Sequence, residues 1–159
     1  MDIFAVEPVL SAEHVGRLSQ FLDSLDGTDG AIQDVVRAEF DRVPMLADYL
    51  VPELLTHLDA AYLDALFAPR TGPDALAPDE FLRGLALCRV GYDVGDGGGR
   101  ETAEGFTVDY RLLVSALTEE DTGRIDDLLT FGGRYAVTNQ VLSAKVSPDG
   151  RVLNLAIES

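Results

Sequence analysis

Apolar residues recur at three- and four-residue steps along the chain to about residue 90, and at every second residue along most of the remainder. The first spacing is that of an amphipathic helix and the second that of a half-buried strand. Ser11 has the side chain of a helix N-cap, and Val15, Leu18, Leu22 and Leu25, with Phe21 beside them, mark one helix face behind it. The turn-forming stretch Asp26 to Gly30 ends that helix, and Ile32, Val35, Val36 and Phe40 carry a second one to about Arg42. Pro44 and Pro52 fit first helical turns, so the segment from Val43 to Phe67 reads as a short helix bent into a longer one lined by Leu55, Leu58, Tyr62 and Leu66. Ala68 to Pro78 is a proline-rich loop, and Pro78 opens a helix carrying Phe81, Leu82, Leu85 and Cys88.

The period changes after Gly91. Phe106, Val108, Tyr110, Leu112 and Val114 alternate with Thr107, Asp109, Arg111 and Leu113, which predicts a strand. The segment TEEDTGRIDDLL from Thr118 suits a short capped helix or an ordered loop. Residues 140–146 and 151–157 flank Ser147-Pro148-Asp149-Gly150, whose proline fixes one backbone angle and whose glycine takes a positive one. A C-terminal hairpin is expected, with Leu153, Leu155 and Ile157 on its buried face, and the opening MDIFAV could add an edge strand. Helices first and antiparallel strands afterwards predict an α+β fold, with the helical half, about 11–90, packed on one face of a sheet at about 105–158. The expectation is a single domain, 1–159.

Composition narrows the classes. A chain of 159 residues, 47% hydrophobic and without an apolar run of membrane-spanning length, is expected to be a soluble globular protein. Acids stand where a secretory leader needs basic residues, and the lone Cys88 excludes internal disulfides and cysteine-based zinc clusters, so a cytoplasmic location is expected. The net charge of −16 opposes nucleic acid and anionic membranes as partners, and acids outnumber bases in both halves. Such a field speeds encounter with a basic protein; it also serves plain solubility.

The glycine-rich VGYDVGDGGGR, residues 90–100, invites a phosphate or a metal ion. A phosphate cradle needs a helix N-terminus and usually a lysine after its glycines, whereas Gly95, Gly97, Gly98 and Gly99 lead into Arg100, Glu101 and a strand. A calcium loop starting at Asp93 has glycine in its sixth place (Gly98) and Glu104 in its twelfth, but Gly95 and Gly97 stand where oxygen ligands belong. The stretch reads as a connection between a helix ending near Val90 and the next strand, or as a hairpin tip if Val90 to Val94 is itself extended.

Other constellations are incomplete. His14 lies in a first helical turn. His57 follows Glu53 by four residues, so both share a helix face, and Asp59 or Asp64 could add a carboxylate, but two ligands do not make a site. Cys88 falls on an apolar face, where a thiol acts as a small hydrophobe, and Arg89 beside it points elsewhere on a helix. The acid pairs Glu119-Glu120 and Asp126-Asp127 are what an acidic chain produces by composition. No catalytic set and no cofactor is indicated.

FLRGLALCRVGYD, FTVDYRLLV and NQVLSAKVSPDGRVLNLAIES, taken in that order, resemble a family of uncharacterised prokaryotic proteins, domain of unknown function 2004. The resemblance rests on Arg89-Val90-Gly91, Asp109-Tyr110 and Glu158-Ser159 and covers the C-terminal half. The chain departs from the family in the glycine-rich insertion and in the segment from Leu117 to Tyr135. The resemblance implies a bacterial cytoplasmic α+β domain, transfers no catalytic residue, and marks Arg89, Asp109, Tyr110 and Glu158 as either a shared surface or a structural set. The functional expectation is a non-catalytic acidic interaction domain, immunity- or adaptor-like, with a basic protein as partner and homo-oligomerisation open. The alternatives are a small metal-assisted enzyme using Glu53 and His57, and a small-ligand binder with its pocket near Tyr92 and Tyr110.

Overall fold

The computed structural model of the chain describes residues 2–5, 11–39, 61, 78–95, 103–114, 120, 129–136 and 140–158. The fold is α+β, with N-terminal helices packed against a C-terminal antiparallel sheet, and the chain divides into two compact units. The first unit comprises Met1–Val36, Leu87–Tyr110 and Leu142–Ala156; the second comprises Arg37–Ala86, Arg111–Val141 and Ile157–Ser159.

The first unit holds α1 (Ala12–Asp23) and most of α2 (Leu25–Glu39). Ser11 caps α1 as its side chain predicts: its Oγ accepts from the His14 amide at 3.2 Å, and His14 Nδ1 accepts from the Ser11 amide at 3.4 Å, a capping box that satisfies two amides left over by the first turn. The expected five-residue turn is absent. Only Ser24 separates the helices, and Asp26 to Gly30 is helical. Gly27 and Gly30 each cost a helix about 1 kcal/mol relative to alanine. Burial of Thr28, Ile32 and Val36 on one side of α2 offsets that cost. On α1 burial is concentrated in Phe21, and Val15, expected on the apolar stripe, is 49% exposed.

The strands of this unit are β1 (Asp2–Ala5), most of β2 (Leu85–Asp93), the first half of β3 (Gly105–Val114), β6 (Val141–Val146) and most of β7 (Val152–Glu158). The N-terminal edge strand is present and runs parallel to β2, with Ile3 opposite Val90 and Ala5 opposite Tyr92. β3 lies antiparallel to β6 from Phe106 opposite Val146 to Tyr110 opposite Leu142. Phe106, Val108 and Tyr110 take the face covered by the helices; Phe106 stacks on Phe21 at 3.8 Å between centroids and on Tyr92 at 4.8 Å. Asp109 therefore points to the opposite face.

β2 corrects one expectation and decides between the two readings of another. The helix opened by Pro78 is only Pro78–Gly84, here α3, and Leu85 and Cys88 lie on a strand, so the helical half does not reach residue 90. An apolar run of this length suits either state, and its strand neighbours decide it. Because Val90 to Asp93 is extended, the glycine-rich stretch links two hydrogen-bonded strands rather than a helix and a strand. The C-terminal hairpin forms at the predicted turn: Gly150 has φ +86°, and its amide donates to the Ser147 carbonyl at 2.9 Å. Its expected buried face is only partly buried. Leu153 is 63% exposed, and Leu155 and Ile157 are half-buried.

In the second unit α3 buries Phe81 and Leu82. Gly84 ends it where a Cβ would meet the Leu112 side chain at 2.6 Å and the Leu113 carbonyl at 3.2 Å. The end of β3 pairs with β5 (Arg134–Ala136), which pairs with β4 (Leu129–Phe131) through a turn in which Gly132 and Gly133 both take positive φ. No helix among the described residues is long and apolar enough to cross a membrane.

Candidate functional site

Three features of the first unit carry charge or space. The first is an outward helical face. Between Ala12 and Glu39 the chain has six carboxylates (Glu13, Asp23, Asp26, Asp29, Asp34, Glu39) against two arginines. Glu13, Asp23, Asp26 and Asp34 are exposed. Both arginines are engaged: Arg17 pairs with Glu104 and with Glu13 at 2.6 Å, and Arg37 pairs with Asp79. Asp29 is turned inward, accepting from Tyr110 Oη at 2.6 Å and from Gln33 Nε2 at 2.9 Å.

The second feature ties α1 to β2 and β3. Glu104 accepts from Arg17 Nη1 at both oxygens and from Tyr92 Oη at 2.7 Å, and the His14 ring stands edge-on to Tyr92 with centroids 6.1 Å apart. The hydrogen bond from Arg17, then that from Tyr92, holds the Glu104 carboxyl below its ordinary value of 4.5. Burial, reinforced by the carboxylate, pushes the Tyr92 hydroxyl up to about 12, so it remains a donor across the neutral range. Burial followed by the bond to Asp29 pushes Tyr110 up further.

These shifts set a pH dependence. A carboxylate whose pKa is lower folded than unfolded binds fewer protons in the native state, so its stabilisation is complete above 4.5 and is lost as pH falls through the folded value. Glu104→Gln is therefore expected to be less stable than the parent at neutral pH, with a flatter loss of stability below pH 4.5. Asp79, held low first by its hydrogen bond from Arg37, and Asp149, held low first by Ser147, are unchanged in this variant. The difference between the two thermal-melting profiles thus isolates Glu104, and superimposable acid limbs would refute its role.

The third feature is a cleft of about 580 Å³ at the junction of α1 and α2, next to the β6–β7 turn. Phe21 and Phe106 lie at its base, with Arg17, Gln20, Thr28 and Asp149 among its polar lining. Neither Tyr92 nor Tyr110, near which a pocket was expected, lines this cleft.

Of the residues singled out by family resemblance, Arg89 and Asp109 meet on the sheet face opposite the helices. Asp109 is 1% exposed, and its Oδ2 accepts from Arg89 Nε at 2.5 Å. Arg89 Nη2 reaches the same oxygen at 2.5 Å. Among the described residues, Oδ1 of Asp109 and Oγ of Ser143, which sits opposite it on β6 and is 2% exposed, are buried without a hydrogen-bond partner. Tyr110, next in sequence, points to the helices instead, and Glu158 is exposed at the end of β7. Arg89 and Asp109 are thus brought together as an ion pair with a buried carboxylate; Tyr110 and Glu158 do not join them.

The remaining candidates can be placed in turn. Cys88 sits on β2, part-buried, with its thiol donating to the Asp109 carbonyl at 3.2 Å. Asp93 accepts from the Gly95 amide at 3.0 Å, and Glu104 is committed to Arg17 and Tyr92. Gly97, Gly98, Glu53, His57, Asp59, Asp64, Glu119, Asp126 and Asp127 lie outside the described residues, whereas Glu120 is exposed. Among the described residues no three His, Cys, Asp or Glu side chains converge so as to hold a metal ion.

Sequence reasoning missed the cleft and the Glu104 network. The only hint was local, an acid at the end of the glycine-rich stretch, since its partners are 87 and 12 residues away. No family model, curated protein or solved structure matches the chain. The resemblance to domain of unknown function 2004 rests on its three short motifs alone.

Proposed function

We propose that this is a non-catalytic interaction domain, of immunity or adaptor type, that binds a basic protein through its acidic surface. The observation that carries the reading is the outward face of α1 and α2, where Asp23, Asp26 and Asp34 are exposed while both arginines of these helices are held in ion pairs, Arg17 with Glu13 and Glu104 and Arg37 with Asp79. A surface of one sign steers an oppositely charged partner toward it and repels nucleic acid and anionic lipid. The cytoplasm, as in the family the C-terminal motifs resemble, suits a chain with a single cysteine and so no internal disulfide.

Affinity capture from native lysate is expected to recover one basic protein at low salt and release it at moderate salt, because exposed charges are screened within about 8 Å at physiological ionic strength. A variant carrying Asp23→Asn, Asp26→Asn and Asp34→Asn should keep its melting temperature and lose the capture. Recovery of the same protein by this variant, or of background only by the parent chain, would refute the reading. The cleft over Phe21 and Phe106 favours a second reading, a binder of a small molecule with an aromatic or apolar part. A ligand screen read by thermal shift tests it, with Thr28→Leu in the cleft wall as the variant that should abolish any hit.

A further inference from the structure

The lining of the cleft in the first unit selects a kind of ligand by its hydrogen-bonding groups. Its base is Phe21 and Phe106, and about 580 Å³ is room for a whole small molecule. Ser24 and Thr28 stand in its wall, and each gives its only proton to a backbone carbonyl: Ser24 Oγ donates to the Phe21 carbonyl at 2.9 Å and Thr28 Oγ1 to the Ser24 carbonyl at 3.3 Å. A hydroxyl so committed has only lone pairs left to offer. Asp149, on the β6–β7 turn, adds a carboxylate. Its partner Arg151 reaches it through Nε at 3.1 Å, but that arginine side chain is 80% exposed and the pair is open to solvent. Arg17, the one cation among the described lining residues, is held by two carboxylates, Glu13 at 2.6 Å and Glu104, so its surroundings stay negative. Acceptors above an apolar base call for a ligand with donors on an apolar stem.

We propose that this cleft binds a small organic cation, an ammonium group on an aromatic or apolar stem. The proposal rests on the second reading above, the cleft as a small-molecule site, and names its ligand class. An ammonium group carries donors and no acceptor, the complement of Ser24 Oγ, Thr28 Oγ1 and the Asp149 carboxylate. Its bonds are charge-assisted, roughly twice as strong as those a neutral hydroxyl would make to the same atoms. The stem takes the apolar base of Phe21 and Phe106, which gains nothing from a bare ion. The net charge of −16 draws a cation toward the chain and repels a carboxylate of the same shape.

The probe is phenethylamine, set against phenethyl alcohol and hydrocinnamate, which keep the stem and make the head group neutral or anionic. Titrations of the full chain followed by amide NMR shifts are expected to show the amine binding about tenfold or more tighter than the alcohol, weakening as salt is added, with hydrocinnamate not bound. Gly27→Leu blocks the cleft without disturbing the fold. Gly27 lines the cleft, a Cβ there meets nothing within 4 Å, and leucine suits a helix better than glycine. This variant should keep or raise the melting temperature and lose the amine. Asp149→Asn, which retains an acceptor for Ser147, should weaken the amine by about tenfold and leave the alcohol unchanged. An amine that binds no tighter than the alcohol, or that is indifferent to Gly27→Leu or to Asp149→Asn, would overturn the proposal. If the alcohol or hydrocinnamate binds in the amine's place, the ligand class fails while the cleft stands as a small-molecule site; if none of the three binds, both fail.

Discussion

Phe106→Ala is expected to remove about 3–5 kcal/mol of stability, the range for truncating a buried aromatic. Phe106 lies between Phe21 and Tyr92, nearly parallel to both at 5° and 16°, so it joins α1, β2 and β3 in one core. Truncation would join the vacated volume to the cleft at whose base the ring lies. Water can enter there, which places the loss toward the lower end of the range relative to a sealed cavity. Chemical denaturation should show a lower midpoint with an unchanged slope, since the native surface is otherwise kept. Phe21→Ala removes the other half of the stack. Because the two rings touch, the double variant should lose less than the sum of the singles. A loss from Phe106→Ala within about 0.5 kcal/mol, as expected for the exposed Leu153→Ala, would show that the stack is not the centre of this core.

How much of the fold is legible in the sequence depends on where the deciding interaction lies. β3 and the turn at Ser147 to Gly150 are readable because alternation and turn chemistry are written into the residues themselves. Asp26 to Gly30 misleads because its composition favours a turn, and only the packing of Thr28, Ile32 and Val36, invisible locally, makes it helical. Leu85 and Cys88 mislead for a related reason. Three- and four-residue steps continue past Gly84 by coincidence, while backbone pairing with β1 and with β3 fixes the strand. The apolar face of β7 is legible as a pattern, but it is buried only in part, with Leu153 exposed and Leu155 and Ile157 half-buried. For the site, an excess of acid is visible in composition. The commitment of Arg17 and Arg37 to ion pairs, which leaves that acid facing outward on α1 and α2, requires the fold.

Arg89→Ala is expected to cost about 3–5 kcal/mol, the penalty for stranding a buried charge, and more than Asp109→Val at the other end of the same pair. The asymmetry follows from exposure. Side-chain accessibility is 44% for Arg89 and 1% for Asp109, so a guanidinium that loses its carboxylate can turn to water, whereas the carboxylate cannot. Its Oδ1 has no partner among the described residues, which leaves little there to compensate the loss of Arg89 at Oδ2. Valine suits position 109, a strand site, and removes the orphaned oxygen along with the charge. Arg89→Ala combined with Asp109→Val should then be more stable than Arg89→Ala alone, giving a double-mutant cycle with a large favourable coupling. If the pair instead belongs to an interaction surface, the singles should leave chemical denaturation nearly unchanged and abolish partner capture. A stability loss with capture retained per folded molecule assigns Arg89 and Asp109 to holding β2 against β3, and the motif they share with the resembling family to architecture.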